Sequence, residues 1–359
     1  MSNSKDELLD SLLKYCSEKK ASDLHLCAGS APVMRVNSKL SVIPDADMML
    51  PPAINSIVES LLDEKRMKHL KEHRVVDFSF SRPGLGRFRC NIYQQRGSYG
   101  IALRTLPFDI PPFEVLGLPM DVEAFTQKAK GLILVTGATG SGKSTTLASL
   151  INTVNTNYAY HIITIEDPIE YLHKHQKSLV TQREIGEDVD SFAIALRSSL
   201  REDPDVIMVG EMRDPETISI ALTAAETGHL VLSTLHTVGA AKAIDRIVDA
   251  FPSGQQVQVR TQLATVLEGI VSQQLIPKID GQGMAVASEV LAMTPAVRNL
   301  IREGKQYQVN SIIQTGQNLG MQLMEADLAR LVQAGLIDTE EATLRAPDPQ
   351  LLNQFLNRR

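Results

Sequence analysis

Eight consecutive residues, Gly137-Ala138-Thr139-Gly140-Ser141-Gly142-Lys143-Ser144, match the phosphate-binding pattern G-x-x-x-x-G-K-[ST] in full. An apolar run, Leu132–Thr136, leads into them as a strand, and Ser144–Val154 leads out as a helix. The glycines let the backbone turn its N–H groups onto phosphate oxygens, and the helix N-terminus adds a favourable dipole. Lys143 then reaches the β- and γ-phosphates, the Ser144 hydroxyl ligates Mg²⁺, and Thr145 completes the binding set. The implied cofactors are ATP and Mg²⁺.

Carboxylates stand where such a loop needs them. Val206–Val209 reads as a buried strand running through Gly210 to Glu211, and Ile163–Ile165 as another ending in Glu166. A third, Leu230–Thr234, runs to His236, with His229 just before it. Ligands of an open parallel sheet bind beyond the carboxyl ends of its strands, so Lys143, Glu166, Glu211 and His236 are expected at one edge. An acid there can hold the metal's water shell or polarise the attacking water. Glu211 is the first candidate, also as a metal ligand through water, and Glu166 the second. His229 and His236 are candidates for sensing or polarising phosphate. Arg197 and Arg201 lie four apart on one helical face; they reach nucleotide or pair with acids of their own helix.

The elements that must position these groups form two blocks. Residues 1–20 read as an amphipathic helix, Asp23–Leu26 and Pro32–Val42 as strands, Ile54–Glu72 as helical, and Val75–Leu106 as an alternating, turning stretch. Together they suggest a small domain over 1–106. The proline-rich Pro107-Phe108-Asp109-Ile110-Pro111-Pro112 opens a linker over 107–118, since it continues neither a helix nor a central strand. Strand-length apolar runs at Gly131–Thr136, His161–Ile165, Val206–Val209 and Leu230–Thr234 then alternate with helical patterns. That alternation predicts an α/β domain over 119–359, with a mostly parallel sheet covered on both faces. From Thr261 onward the pattern reads as chiefly helical.

Composition narrows the partners. A formal net charge of −6 does not suggest nucleic acid. The 3 cysteines, Cys16, Cys27 and Cys90, form no C-x-x-C pair, which argues against a disulfide framework or structural zinc and suits a reducing compartment. The N-terminal stretch lacks the unbroken apolar core of a signal peptide, and no apolar run reaches membrane-spanning length. A cytoplasmic chain is expected, associating with a membrane through partners.

The motifs together resemble the type II/IV secretion ATPases. The phosphate loop, the acidic box Ile165-Glu166-Asp167-Pro168-Ile169-Glu170, the run Arg201-Glu202-Asp203-Pro204-Asp205 leading to Glu211, and Gly228-His229-Leu230 through His236-Thr237 occur in that family's order. Ala21–Leu26 is similar to its N-terminal strand signature, and Ala296–Glu303 resembles the AIRNLIRE motif of the PilT retraction ATPases. The resemblance implies a RecA-like P-loop domain joined to a smaller PAS-like N-terminal domain. It also implies a homohexamer that hydrolyses ATP and acts on an inner-membrane platform protein to retract a type IV pilus. Ala138 departs from the proline more often found in the loop. An extension or accessory motor, or a nucleotide-gated module without turnover, are the alternatives.

Arginines in the first block add a further expectation. A hairpin centred on Arg96-Gly97 sets Arg89 directly opposite Arg104, and facing like charges cost about 0.2–1 kcal/mol. A phosphate would remove that cost. The family resemblance assigns two such arginines to the γ-phosphate. Asp23 and His25 share a strand face without a derivable role, and Arg298 with Arg302 reads first as part of an amphipathic helix.

Overall fold

The computed structural model describes residues 4–36, 39–107 and 109–357. Residues 1–3 of the expected first helix, the last two residues of the chain, Asn37 and Ser38 within the expected Pro32–Val42 strand, and Phe108 of the expected linker lie outside the described residues. Cα packing divides the chain into two units, Met1–Asp109 with Pro168–Leu172, and Ile110–Asp167 with His173–Arg359.

The first unit is an antiparallel sheet with helices on one face. Its strands are β1 (Asp23–Cys27), β2 (Val33–Val36), β3 (Lys39–Val42), β4 (Val75–Arg82), β5 (Gly86–Gln95) and β6 (Ser98–Leu106), ordered β3-β2-β1-β6-β5-β4. Alternation sends Leu24, Leu26, Phe78, Phe88, Cys90, Ile92, Ile101 and Leu103 to the buried face. They meet Leu9 and Leu13 of α1 (Ser4–Glu18), Ile54 and Ile57 of α2 (Pro51–Leu61), and Leu70 of α3 (Glu64–His73). The single helix expected over Ile54–Glu72 is in fact α2 and α3. The break comes at Asp63, whose carboxylate accepts the Arg66 N–H at 2.8 Å and caps a new helix.

The second unit carries the larger sheet. Its strands are β7 (Gly131–Thr136), β8 (His161–Glu166), β9 (Leu179–Glu184), β10 (Val206–Val209), β11 (Leu230–Leu235), β12 (Leu267–Pro277) and β13 (Met284–Ala292), ordered β13-β12-β7-β11-β10-β8-β9. All neighbours are parallel except β12 with the edge strand β13. Every residue of β7, β10 and β11 is buried, as a sheet covered on both faces requires. One face packs on α4 (Lys143–Asn157) and the short turns near Phe113 and Phe125. The other packs on α5 (Phe192–Ser199), α6 (Pro215–Glu226), α7 (Ala240–Asp249), α8 (Ser253–Val266) and α9 (Pro295–Arg302). Beyond these come α10 (Val309–Thr315), α11 (Met324–Gln333), α12 (Thr339–Arg345) and α13 (Pro349–Leu356).

The expectation of a chiefly helical chain after Thr261 is corrected by β12 and β13. Their apolar residues satisfy both periods when read alone, and the choice is made by pairing, since β12 lies beside β7. The strand β9 escaped notice for a related reason: it is a mostly polar edge.

Arg298 and Arg302 part company here. Arg298 Nη1 donates to the carbonyls of Ala264 and Thr265 at 2.7 and 2.9 Å, closing the C-terminus of α8, and its Nη2 reaches Glu268 at 2.7 Å. Arg302 donates only locally, to Asn299 Oδ1 at 2.9 Å. Arg298→Ala should therefore lower the denaturation midpoint, at a cost of about 1–3 kcal/mol. Arg302→Ala should stay within about 0.5 kcal/mol of wild type. Thermal or urea unfolding of the two variants checks the difference.

Candidate functional site

Parallel register brings the expected groups to one edge of the sheet, within two residues of one another along the strands. Leu235 pairs with Thr136, so His236 stands level with Gly137, the first residue of the phosphate loop. Val209 pairs with Ile165 on one side and Ser233 on the other, which brings Gly210, Glu166 and Thr234 into one row. Glu211 follows directly. Adjacent strands lie about 4.8 Å apart, so β7, β11, β10 and β8 deliver Lys143, His236, Glu211 and Glu166 across a front of roughly 15 Å.

The loop is held tightly. Gly142 precedes α4 with φ 87°, a left-handed conformation that suits glycine, and a Cβ on Gly137 would come within 2.4 Å of the Gln273 carbonyl oxygen. Ala138, Thr139 and Gly140 are exposed, while Ser141 and Lys143 are buried and Ser144 and Thr145 half-buried. Lys143 Nζ donates to the carbonyls of Gly137 and Ala138, both at 2.9 Å. Its charge is thus folded onto the loop that a phosphate would enter.

Glu211 is 8% exposed and meets two cationic or titratable groups. Arg213 Nη2 forms an ion pair with its Oε1 at 2.5 Å, and His236 Nε2 lies 3.2 Å from its Oε2. The strand end beneath it is stitched on both sides: the Gly210 N–H donates to the Ile165 carbonyl at 2.8 Å, and Thr234 Oγ1 to the Gly210 carbonyl at 2.6 Å. Downstream, Asp214 caps α6 by accepting from the Thr217 N–H and Oγ1 at 2.8 and 2.7 Å. Burial alone would raise the Asp214 pKa, but these bonds hold its carboxyl below the ordinary carboxylate value. Glu166 is equally buried and accepts from Thr164 Oγ1 at 2.7 Å and Gln182 Nε2 at 3.2 Å.

Two expected residues, His229 and Arg201, are not brought to this edge within the unit. His229 precedes β11 and lies at its opposite end, about 20 Å from His236 along the strand. Its Nδ1 sits 3.0 Å from the Ala224 carbonyl. Arg201 stands exposed between α5 and the entry of β10, likewise away from the loop. Arg197 is also exposed and pairs with Glu216 at 2.7 Å, so its partner lies on α6 and not on its own helix.

In the first unit the hairpin places Arg89 opposite Arg104. The like-charge cost is answered inside the sheet. Arg89 grips Asp77 at 3.2 and 2.7 Å, and Arg104 Nε donates to Asp23 at 2.9 Å. Burial pushes the Asp23 pKa up, yet hydrogen bonds from Ser22 and Arg104 outweigh it and leave the carboxyl below its ordinary value. Asp23 therefore has a role that its sequence position did not reveal.

Sequence reading also missed Arg213, Gln182 and Gln273. Arg213 lies two residues from Glu211 and was open to notice. Gln182 sits on the overlooked β9. Gln273 is 1% exposed on β12; its Nε2 donates to the Ser141 carbonyl at 2.6 Å, and its Oε1 accepts from Thr146 Oγ1 at 2.9 Å.

Comparison with known proteins accords with this geometry. Residues 118–288 match the family described as type II/IV secretion system protein. The type IV pilus retraction ATPase PilT of Pseudomonas aeruginosa is 47% identical over 94% of this chain and 98% of its own length. The twitching motility protein of Neisseria gonorrhoeae is 46% identical over 96% and 91%. A crystal structure of the pilus retraction motor PilT with bound ADP is 51% identical and superposes with a TM-score of 0.91, covering 96% of this chain and 98% of that one. This chain belongs to the PilT family of type IV pilus retraction ATPases.

Proposed function

We propose that the chain is the ATP-hydrolysing subunit of a homohexameric motor that retracts a type IV pilus. The observation that carries this reading is the gathering of the phosphate loop with its Lys143, His236, Glu211 and Glu166 at the carboxyl edge of one parallel sheet. No helix among the described residues is long and apolar enough to cross a membrane. On this reading the subunit works in the cytoplasm, as a pilus-retraction ATPase would, and meets the membrane through an inner-membrane platform protein. Residues 107–118 serve as the linker between a domain over 1–106 and the ATPase domain over 119–359.

The loop from Gly137 to Ser144, with Thr145, takes the phosphates. Its backbone N–H groups and the first turn of α4 supply a positive concavity, and Lys143 exchanges the Gly137 and Ala138 carbonyls for phosphate oxygens. The donor set at this edge, one hydroxyl beside buried carboxylates, suits a hard divalent cation. Ser144 would hold Mg²⁺ directly and Glu211 through water, and the ion would supply charge neutralisation on the phosphates. Glu211 orients the attacking water and accepts its proton as the water oxygen bonds to the γ-phosphorus and the bond to the bridging oxygen breaks. His236 holds Glu211 in place from 3.2 Å, and Glu166 is a second acid for the water. Arg89 and Arg104 stabilise the charge on the γ-phosphate, each exchanging its carboxylate partner for phosphate. Arg197 binds nucleotide only after leaving Glu216, and His229 and Arg201 fit a contact made across the ring better than one within the subunit.

Two outcomes test the assignment. Glu211→Ala should lower kcat for phosphate release by about 10²–10⁴-fold, with Glu166→Ala falling less. Equal rates for Glu211→Ala and wild type end the role of Glu211. Arg89→Ala and Arg104→Ala should each cost at least about 10²-fold in turnover while ADP affinity changes by less than about threefold. Unchanged turnover in both single variants removes the arginine pair from catalysis. Deleting the gene in its own organism separates directions of motion: hyperpiliated, non-motile cells support retraction, and bald cells support extension.

A further inference from the structure

Gln273 lies outside the motifs of the nucleotide site, yet its side-chain amide bonds both the phosphate loop and the first turn of the helix that follows it. It sits one residue past Ser272, which pairs with Thr136 at the end of β7. Its amide N–H reaches the Ser141 carbonyl at 2.6 Å and its amide oxygen receives the Thr146 hydroxyl at 2.9 Å. One bond holds the loop, and the other holds the first turn of α4. The side chain is 1% exposed, so neither bond is diluted by water. The whole residue packs closely on the loop, since a Cβ on Gly137 would meet the Gln273 carbonyl oxygen at 2.4 Å and one on Gly142 the side-chain Nε2 at 3.1 Å.

The neighbouring residue works on the opposite face of the sheet, as strand alternation requires. Ser272 Oγ accepts the Gly239 N–H at 2.8 Å, and Glu289 on β13 accepts the Ala240 N–H at 2.7 Å. Together they fix the start of α7, four residues after His236. Consecutive residues of β12 thus reach the loops on both sides of β7 and β11.

We propose that Gln273 is a positioning residue for nucleotide binding: it clamps the 137–144 loop to the start of α4 in the conformation that receives phosphate. The loop's backbone N–H groups bind the phosphates of ATP and ADP alike, so a slackened loop loses affinity for both. Only the fraction of molecules holding the competent loop binds, and apparent affinity falls with that fraction. The clamp does not touch the reacting atoms, and kcat at saturation is therefore spared.

The test uses the full chain and compares Gln273→Ala, Gln273→Glu, Thr146→Ser and Thr146→Val with wild type. ADP affinity by calorimetry and KM and kcat by phosphate release are measured beside the unfolding midpoint without nucleotide. Gln273→Ala should weaken ADP and raise KM by about five- to thirty-fold, with kcat held within about threefold. Gln273→Glu retains the acceptor for Thr146 but sets a carboxylate against the Ser141 carbonyl, and should bind ADP more weakly than Gln273→Ala. Thr146→Ser should bind as wild type does. Thr146→Val should weaken ADP, and combining it with Gln273→Ala should weaken ADP by less than the product of the two single effects. ADP affinity in Gln273→Ala within twofold of wild type overturns the proposal, whatever happens to the midpoint. Should Gln273→Ala not fold, the Thr146 pair decides: equal ADP affinity in Thr146→Ser and Thr146→Val overturns it. A wild-type chain that binds ADP without hydrolysing ATP would refute the motor reading and leave this one standing.

Discussion

The parallel register of β8, β10, β11 and β7 is the constraint on which the candidate chemistry depends. Each strand is buried on both faces, so its position is set by main-chain hydrogen bonds to two neighbours and by apolar packing above and below. A slip of one residue would turn every buried side chain to the other face. It would also move Glu211 or His236 off the level of the phosphate loop. The core and the site are therefore specified by one set of contacts. Ser233 Oγ donating to the Val209 carbonyl and Thr234 Oγ1 to the Gly210 carbonyl bind the strand ends further, where the ladder itself is running out.

The first unit uses a different device. Its hairpin register comes from a two-residue turn in which Arg96 and Gly97 have φ 45° and 78°, the left-handed pair of a type I′ turn. That turn puts two guanidinium groups side by side, and carboxylates on the flanking strands neutralise them. The result is a charged row, Arg35, Asp23, Arg104 and Arg89 in cross-strand register, on the face opposite the helices. Arginines held by carboxylates are positioned without being committed, because a phosphate offers the same planar groups a more highly charged partner.

What could be read in the sequence was what is local. The phosphate loop, with strand before and helix after, is contiguous, and the Arg89–Arg104 register follows from a turn seven residues from Arg89. The strand ends at Glu166, Glu211 and His236 were visible as apolar runs that stop at polar groups. What stayed hidden depends on distant partners. Arg104 is neutralised by Asp23 from 81 residues away, and Gln273 grips Ser141 from 132 residues away. A single glutamine in a strand carries no local mark of that task. β12 and β13 read as helix from the sequence because only pairing, of β12 with β7 and of β13 with β12, decides their period. His229 was grouped with His236 as part of one motif, although a strand of six residues holds the two at opposite edges of the sheet.

One structure would probe the arrangement directly: the full chain with Mg²⁺ and a non-hydrolysable ATP analogue. The account predicts the β- and γ-phosphates within the 137–145 loop, Lys143 moved from the Gly137 and Ala138 carbonyls onto phosphate, and Glu211 within one water of the γ-phosphorus. Phosphates bound away from that loop, or a Glu211 separated from the γ-phosphate by more than one water, would contradict it.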